Sequence, residues 1–295
     1  MSVIFNLFAN KIAKNMKKND ISRQDVIIDE TQINKSIFKY GKRKNEEFIL
    51  YRLKNGTKNG KLIIDIHGGA WIYGDAHLNE KHNEWFCLNG YDVISIGYPL
   101  LQKVRLYEMV KSILRALKMI EEKSNELKIS LDNVLLIGDS AGGHLAMLIF
   151  AILNNKKFKE IYDAPDINLN IKMLYLEHPC AYLDNLLEGA DGYAKFFLNL
   201  AFFGIKLKRN PIYRFSSAND ILNLLDLPYT LIVTSTNDEF KYLSDRLNED
   251  LLKKNSKYEF VVVDGEKHVF EVMNPLKESS INVNKKCLEI FENIC

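Results

Sequence analysis

Hydrophobic and polar positions along this chain fall into three regimes. Over residues 1–20, Ile4, Leu7, Phe8 and Ile12 recur at helical spacing among Lys11, Lys14, Lys17 and Lys18, which predicts an amphipathic helix. Two extended stretches follow, Ser36–Tyr40 and Glu46–Leu53, with turns at Asn55-Gly56 and Asn59-Gly60. From Leu62 onward, short apolar runs alternate with longer runs of helical period. The predicted strands are Leu62–Ile66, Asp92–Tyr98, Asn133–Ile137, Ile171–Tyr175, Tyr229–Thr234 and Tyr258–Val263. The predicted helices are Tyr107–Leu127, Ala141–Leu153, Glu239–Lys253 and Ser279–Ile294. Strands that are apolar nearly throughout need cover on both faces, so the pattern predicts a mostly parallel central sheet with helices on either side. Right-handed crossovers then bring the strands' C-terminal ends to one edge, where ligands bind in such sheets.

One segment breaks the alternation. Residues 181–218 carry Tyr193, Phe196, Phe197, Phe202 and Phe203 and are apolar nearly all round. Its uninterrupted apolar run is too short to cross a bilayer, so it reads as a helical cap inserted over the sheet edge, the alternative being an ordinary crossover helix. With no repeat or low-complexity tract, residues 1–295 are expected to form a single domain, with cap elements drawn from 1–35 and 181–218. The N-terminal helix has two readings. Self-packing over the protein's own site is favoured over contact with an anionic membrane surface.

Composition narrows the functions. A net charge of +2, with scattered lysines, does not suit nucleic acid. The four cysteines, Cys87, Cys180, Cys287 and Cys295, form no CxxC pair and no zinc spacing, so no metal and no cofactor are expected. Reduced thiols and the lack of a signal-like N-terminus suggest a cytoplasmic protein.

The chemistry lies where strands end. Gly138-Asp139-Ser140-Ala141-Gly142 is a GxSxG sequence between the strand NVLLI and a helix, the setting of a nucleophile elbow. His67-Gly68-Gly69-Ala70-Trp71 directly follows the strand LIIDI. Acyl transfer needs donors aimed at a developing oxyanion, and backbone N–H groups of Gly68, Gly69 and Ala70, with that of Ala141, are the candidates. Among six histidines, His268 follows the last predicted strand at the same edge and is the candidate base, with His178 in reserve. His67 belongs to the glycine loop, His144 lies too close to Ser140 in sequence, and His77 and His82 read as surface positions. Asp238, after the strand YTLIVTS, is the candidate partner of His268, ahead of Glu239 and Asp245. Trp71, Phe196 and Phe197 are candidate substrate contacts.

The ordered set HGGAW, GDSAGGH, TSTNDEF and GEKHVF resembles the hormone-sensitive-lipase-like esterases of the α/β-hydrolase superfamily, from about residue 60 to the C-terminus. That resemblance implies an α/β-hydrolase fold with an N-terminal cap, oxyanion donors at Gly69, Ala70 and Ala141, and an acyl-serine mechanism. The sequence departs from the family at Ala70, in place of a third glycine, at Gly97-Tyr98-Pro99-Leu100, and around Phe240, where the family's Asp-Pro pair is missing. The expected activity is hydrolysis of short- to medium-chain acyl esters. An arylformamidase-type amide hydrolase and a non-catalytic ligand-binding homologue are the alternatives, and the presence of Ser140, Asp238 and His268 disfavours the latter. The expected partner is a small acyl ester, and a homodimer stays open.

Overall fold

The computed structural model describes residues 3–20, 23, 25–56, 60–188, 199–204 and 210–295. Eight strands form one sheet in the order β1-β2-β4-β3-β5-β6-β7-β8. They are β1 (Ile33–Lys39), β2 (Glu47–Leu53), β3 (Leu62–Ile66), β4 (Asp92–Ile96), β5 (Val134–Asp139), β6 (Ile171–Glu177), β7 (Tyr229–Ser235) and β8 (Tyr258–Val263). The pairs β1–β2 and β2–β4 are antiparallel and every other pair is parallel. This is the α/β-hydrolase fold, and β1 and β8 are its two edges. The helices are α1 (Val3–Asn19), α2 (Glu80–Leu88), α3 (Leu106–Leu127), α4 (Ala141–Asn154), α5 (Lys156–Ile161), α6 (Leu183–Glu188), α7 (Ala218–Leu222), α8 (Lys241–Lys253), α9 (Phe270–Met273) and α10 (Glu278–Ile294).

Alternation along the buried strands feeds two cores. Leu62, Ile64, Ile66, Val134 and Leu136 face the cluster that holds α3 and α4. Ile63, Leu135 and Ile137 face the cluster that holds α2 and α10. On α3 the stripe Val110, Ile113, Leu117 and Ile120 is fully buried, and each such side chain contributes about 1.5–3 kcal/mol. The second face is not purely apolar. Asp65, Asp139, Glu177 and Glu271 are all buried, together with Asn79, His82, Asn83 and Asn284.

Two sequence expectations are corrected here. The buried face of α1 is Phe5 and Ala9, with Ile12 half-buried against the core, whereas Leu7 and Phe8 are 68% and 51% exposed. Small Ala9 permits close approach, so the stripe i, i+4, i+7 that packs is not the bulkiest one. His82 is fully buried, on a helix (α2) whose polar sequence reads as surface. Its polar side chains face inward because they serve the buried carboxylates. Asn83 Nδ2 donates to Asp65 Oδ2 at 2.9 Å, and His82 Nε2 lies 3.2 Å from Glu177 Oε1.

Among the described residues no helix is long and apolar enough to cross a membrane. All four cysteines are free.

Candidate active site

The turn from β5 to α4 holds Ser140 at φ 50°, ψ −113°. A non-glycine residue in that region costs about 1–3 kcal/mol and persists only when its surroundings hold it. Here Ser140 N–H donates to Glu177 O at 2.8 Å, and Cys180 N–H donates to Ser140 O at 3.0 Å. The turn is tight enough that a Cβ on Gly142 would overlap the carbonyl oxygen of Ile66. Ser140 Oγ lies 3.5 Å from Cys180 Sγ. Burial pushes the Cys180 thiol up to about 12, so it stays protonated beside the serine.

The loop after β3 runs alongside. Gly69, Ala70 and Trp71 all have positive φ, at 96°, 51° and 59°. That run is a tight left-handed turn, closed by Ile72 N–H and Tyr73 N–H donating to Gly69 O at 3.0 and 2.9 Å. The N–H groups of Gly69, Ala70 and Ala141 have no protein acceptor among the described residues. Gly68 departs from expectation, since its N–H donates to Asp139 Oδ1 at 2.7 Å. It ties the loop to the elbow and is not free to meet an oxyanion. Asn79 Nδ2 donates to the same oxygen at 2.8 Å. Tyr98, in the segment that departs from the family pattern, donates its hydroxyl to His67 O at 2.6 Å and stacks on the His67 ring at 4.2 Å.

Trp71 is buried. Its indole Nε1–H donates to His144 Nδ1 at 3.3 Å, and its ring meets Phe202 edge-on at 5.1 Å. His144 in turn donates Nε2–H to Ser216 O at 2.6 Å. One ring nitrogen accepts and the other donates, so His144 is a neutral imidazole. Burial lowers it to about 4. The described part of the 181–218 insert therefore sits on the glycine loop through Phe202. Phe196, Phe197 and Tyr193 lie outside the described residues.

Asp238 follows β7 and His268 follows β8. The two loops are stitched by Asn237 N–H to Glu266 O at 3.1 Å and Thr236 N–H to Val263 O at 3.0 Å. His268 Nδ1 meets Asp238 Oδ1 at 2.8 Å, and Phe240 N–H donates to the same oxygen at 2.8 Å. The other oxygen, Oδ2, accepts from His178 Nδ1 at 2.7 Å and from Thr234 Oγ1 at 3.2 Å. Burial would raise the Asp238 carboxyl, but hydrogen bonds from His178 and His268 and their charges hold it well below the usual range. No hydrogen bond joins His268 to Ser140, whose hydroxyl neighbour is Cys180. Such contacts often close only around substrate. The segment His178-Pro179-Cys180 touches Asp238 at one end and Ser140 at the other, and so holds the two halves side by side.

The competing residues are placed as follows. Glu239 precedes α8, while Asp245 lies on it, 2.5 Å from Lys241 Nζ. His77 is exposed. His178, Asp238 and His268 offer atoms close enough for one metal ion. Both histidines, however, already direct Nδ1 at Asp238, and a metal would have to displace those bonds.

Nothing in the sequence points to Asn79 or Glu271, and His144 reads there only as a base too close to Ser140, because their partners lie elsewhere along the chain. Asp139 stood inside a motif, but its brace to Gly68 shows only in three dimensions.

Comparison with known proteins places this site in company. The BD-FAE family model matches residues 49–178, which include the glycine loop and the Ser140 elbow. An arylesterase of Saccharolobus solfataricus is 26% identical over 230 residues, 72% of this chain and 69% of that protein. Esterase B from Lactobacillus rhamnosis superposes with a TM-score of 0.90 at 25% identity, covering 99% of this chain and 95% of that one. A form of the same esterase inhibited by a tributyrin phosphonate gives a TM-score of 0.91 at 24% identity, covering 100% and 96%. The chain is an α/β-hydrolase-fold protein similar, over nearly its whole length, to an esterase of known structure.

Proposed function

We propose that this chain is a serine carboxylic-ester hydrolase with Ser140 as nucleophile, His268 as base and Asp238 as its orienting acid. The observation that carries the reading is the Asp238–His268 hydrogen bond of 2.8 Å at the sheet edge where Ser140 stands strained on its elbow. With Nδ1 directed at Asp238, the ring presents Nε2 as the proton acceptor. Ser140 Oγ attacks the acyl carbonyl carbon and its proton passes to His268 Nε2. The carbonyl oxygen becomes an oxyanion, met by N–H groups of Gly69, Ala70 and Ala141. Collapse breaks the ester C–O bond, and the alcohol leaves with the proton from His268. Water then repeats the sequence on the acyl-serine and releases the acid. Each oxyanion donor is worth about 2.7–4 kcal/mol in the transition state.

Residues 181–218 act as a cap in this reading, supported by the Phe202–Trp71 contact. Esterase names among the relatives, and the tributyrin phosphonate on one of them, support short to medium acyl chains. The test is hydrolysis of p-nitrophenyl esters, acetate to dodecanoate, by wild type and Ser140→Ala. Turnover lost by several orders of magnitude in the variant supports the reading, and the chain-length optimum reports the acyl pocket. Turnover of formanilides but not of esters by a folded wild type would replace it with an amide hydrolase.

A further inference from the structure

Asp238 is held from two sides, and only one of them belongs to the base. Its Oδ2 faces His178 Nδ1 at 2.7 Å, and the other nitrogen of that ring, Nε2, lies 3.2 Å from Glu271 Oε2. The latter is an ion contact lacking the directed geometry of a hydrogen bond. All three side chains are fully buried. The backbone is bent to achieve this. His178 has φ 50°, in the left-handed region, immediately before Pro179, where a following proline disfavours helical conformations further. Val269, a β-branched residue, also has φ 51° and turns the chain from His268 into α9, which carries Glu271. Strain on both flanks of one ring is retained where the ring does something.

We propose that His178 is a positioning residue for the Asp238–His268 pair, clamped between Asp238 and Glu271 in a row His268–Asp238–His178–Glu271 that starts at the half-buried His268 and runs inward. The proposal rests on the reading of Asp238 and His268 as acid and base.

A carboxylate bonded at one oxygen can still swing. Without His178, Oδ2 would retain only the longer Thr234 contact. A neutral imidazole has one N–H, whereas this ring faces a carboxylate at each nitrogen, which favours the imidazolium. Burial alone would depress His178, but Glu271 and Asp238 raise it to about 9. The His178 and Glu271 charges then offset one another. Asp238 keeps its own charge to stabilise the imidazolium that forms on His268. The remaining neighbours fit this balance. Glu177, the last residue of β6 and the one before His178, is pushed up strongly by burial, with Glu271, Asp139 and Asp65 adding to it, so it is protonated. His82 beyond it is neutral, lowered by burial to about 4. The rings of Phe270 and His268 close the pocket at 5.7 and 5.2 Å.

The charge and the tether can be separated. His178→Gln keeps an amide donor and removes the cation. Glu271 is then uncompensated beside Asp238, which favours the protonated form of the base. The acid limb of kcat/KM should move up by about two pH units, the effect of a unit charge roughly 5 Å away at an effective dielectric near 20, since the His178 and His268 rings lie 5.2 Å apart. The double variant His178→Leu/Glu271→Leu removes both charges and the tether. A buried ion pair replaced by apolar groups often leaves stability intact, so this variant keeps the test open if the single one fails to fold. Its acid limb should stay in place, while kcat falls about 10- to 100-fold with KM unchanged. A purely structural role would lower the unfolding midpoint and move neither readout. Wild type and Ser140→Ala run beside them. If serine-dependent turnover is present and the double variant has wild-type kcat, or a folded His178→Gln has a wild-type acid limb, this proposal fails alone. If wild type shows no serine-dependent ester turnover, the parent reading fails and takes this one with it.

Discussion

His144 ties Trp71 on the glycine loop to Ser216 near α7, and it can do so only while neutral. Protonating Nδ1 would set an N–H against the indole N–H of Trp71, in a fully buried place. Burial lowers the group from 6.5 to about 4. As the pH falls, the unfolded chain therefore takes up the proton first. The stability linked to His144 is complete above about pH 6.5 and is lost as the pH falls toward 4. A shift of about 2.5 units corresponds to about 3 kcal/mol, most of it gone by about pH 4.5. His144→Gln cannot titrate and retains a donor for Ser216 O. Urea unfolding of both proteins near pH 7 and near pH 4.5 gives the two declines in stability. The wild-type decline should exceed that of the variant by about 2–3 kcal/mol. His82 and the carboxylates titrate in both proteins and cancel. Equal declines would refute the neutral-imidazole bridge, whatever the variant's absolute stability.

Other expectations follow from the same geometry. Asp238→Asn should fold normally and lose about 10³- to 10⁴-fold in ester kcat, since His268, the proposed base, would lose its tautomer; a loss below tenfold in steady-state kinetics would remove Asp238 from the proposed mechanism. Gly142→Ala forces a Cβ onto Ile66 O, and should lower stability by about 2 kcal/mol or more, read as a reduced urea midpoint. Dialysis against EDTA should leave ester turnover unchanged, because the donors of His178, Asp238 and His268 are engaged with each other; a loss reversed by added zinc would overturn that.

How much was legible in the sequence depended on how local each feature is. The strand from Tyr258 to Val263 and the helix ending at Ile294 were read almost to the residue, because period and flanking turns are local signals. The Ser140 elbow was legible because its glycines and its strand-to-helix setting are contiguous. The helix α2 was missed. Its Glu80, His82, Asn83 and Glu84 look solvated in one dimension, and only the folded sheet brings Asp65 and Glu177 beneath them. Gly68 was read as a donor since glycine loops usually are, but the acceptor that takes its N–H, Asp139, lies 71 residues away. His178 reads as the reserve base in the sequence, where nothing reveals Glu271 at its far side. Residues packed against long-range polar partners carry no periodicity, and that is the class the sequence hid.

The outermost parallel strand, β8, has a single neighbour, and its residues are mostly only half-buried. His268 hangs from its end. Edge elements with one-sided pairing open at lower free energy than a central strand does. Release of β8 would carry His268, the proposed base, away from Asp238 while β3 and β5, in the middle of the sheet, still held the glycine loop and Ser140. Heat should therefore silence the enzyme before it melts: residual ester turnover should disappear several degrees below the global transition seen by far-UV circular dichroism, and cooling from that interval should restore it. On refolding, activity would return last, as the clock that marks completion of the sheet.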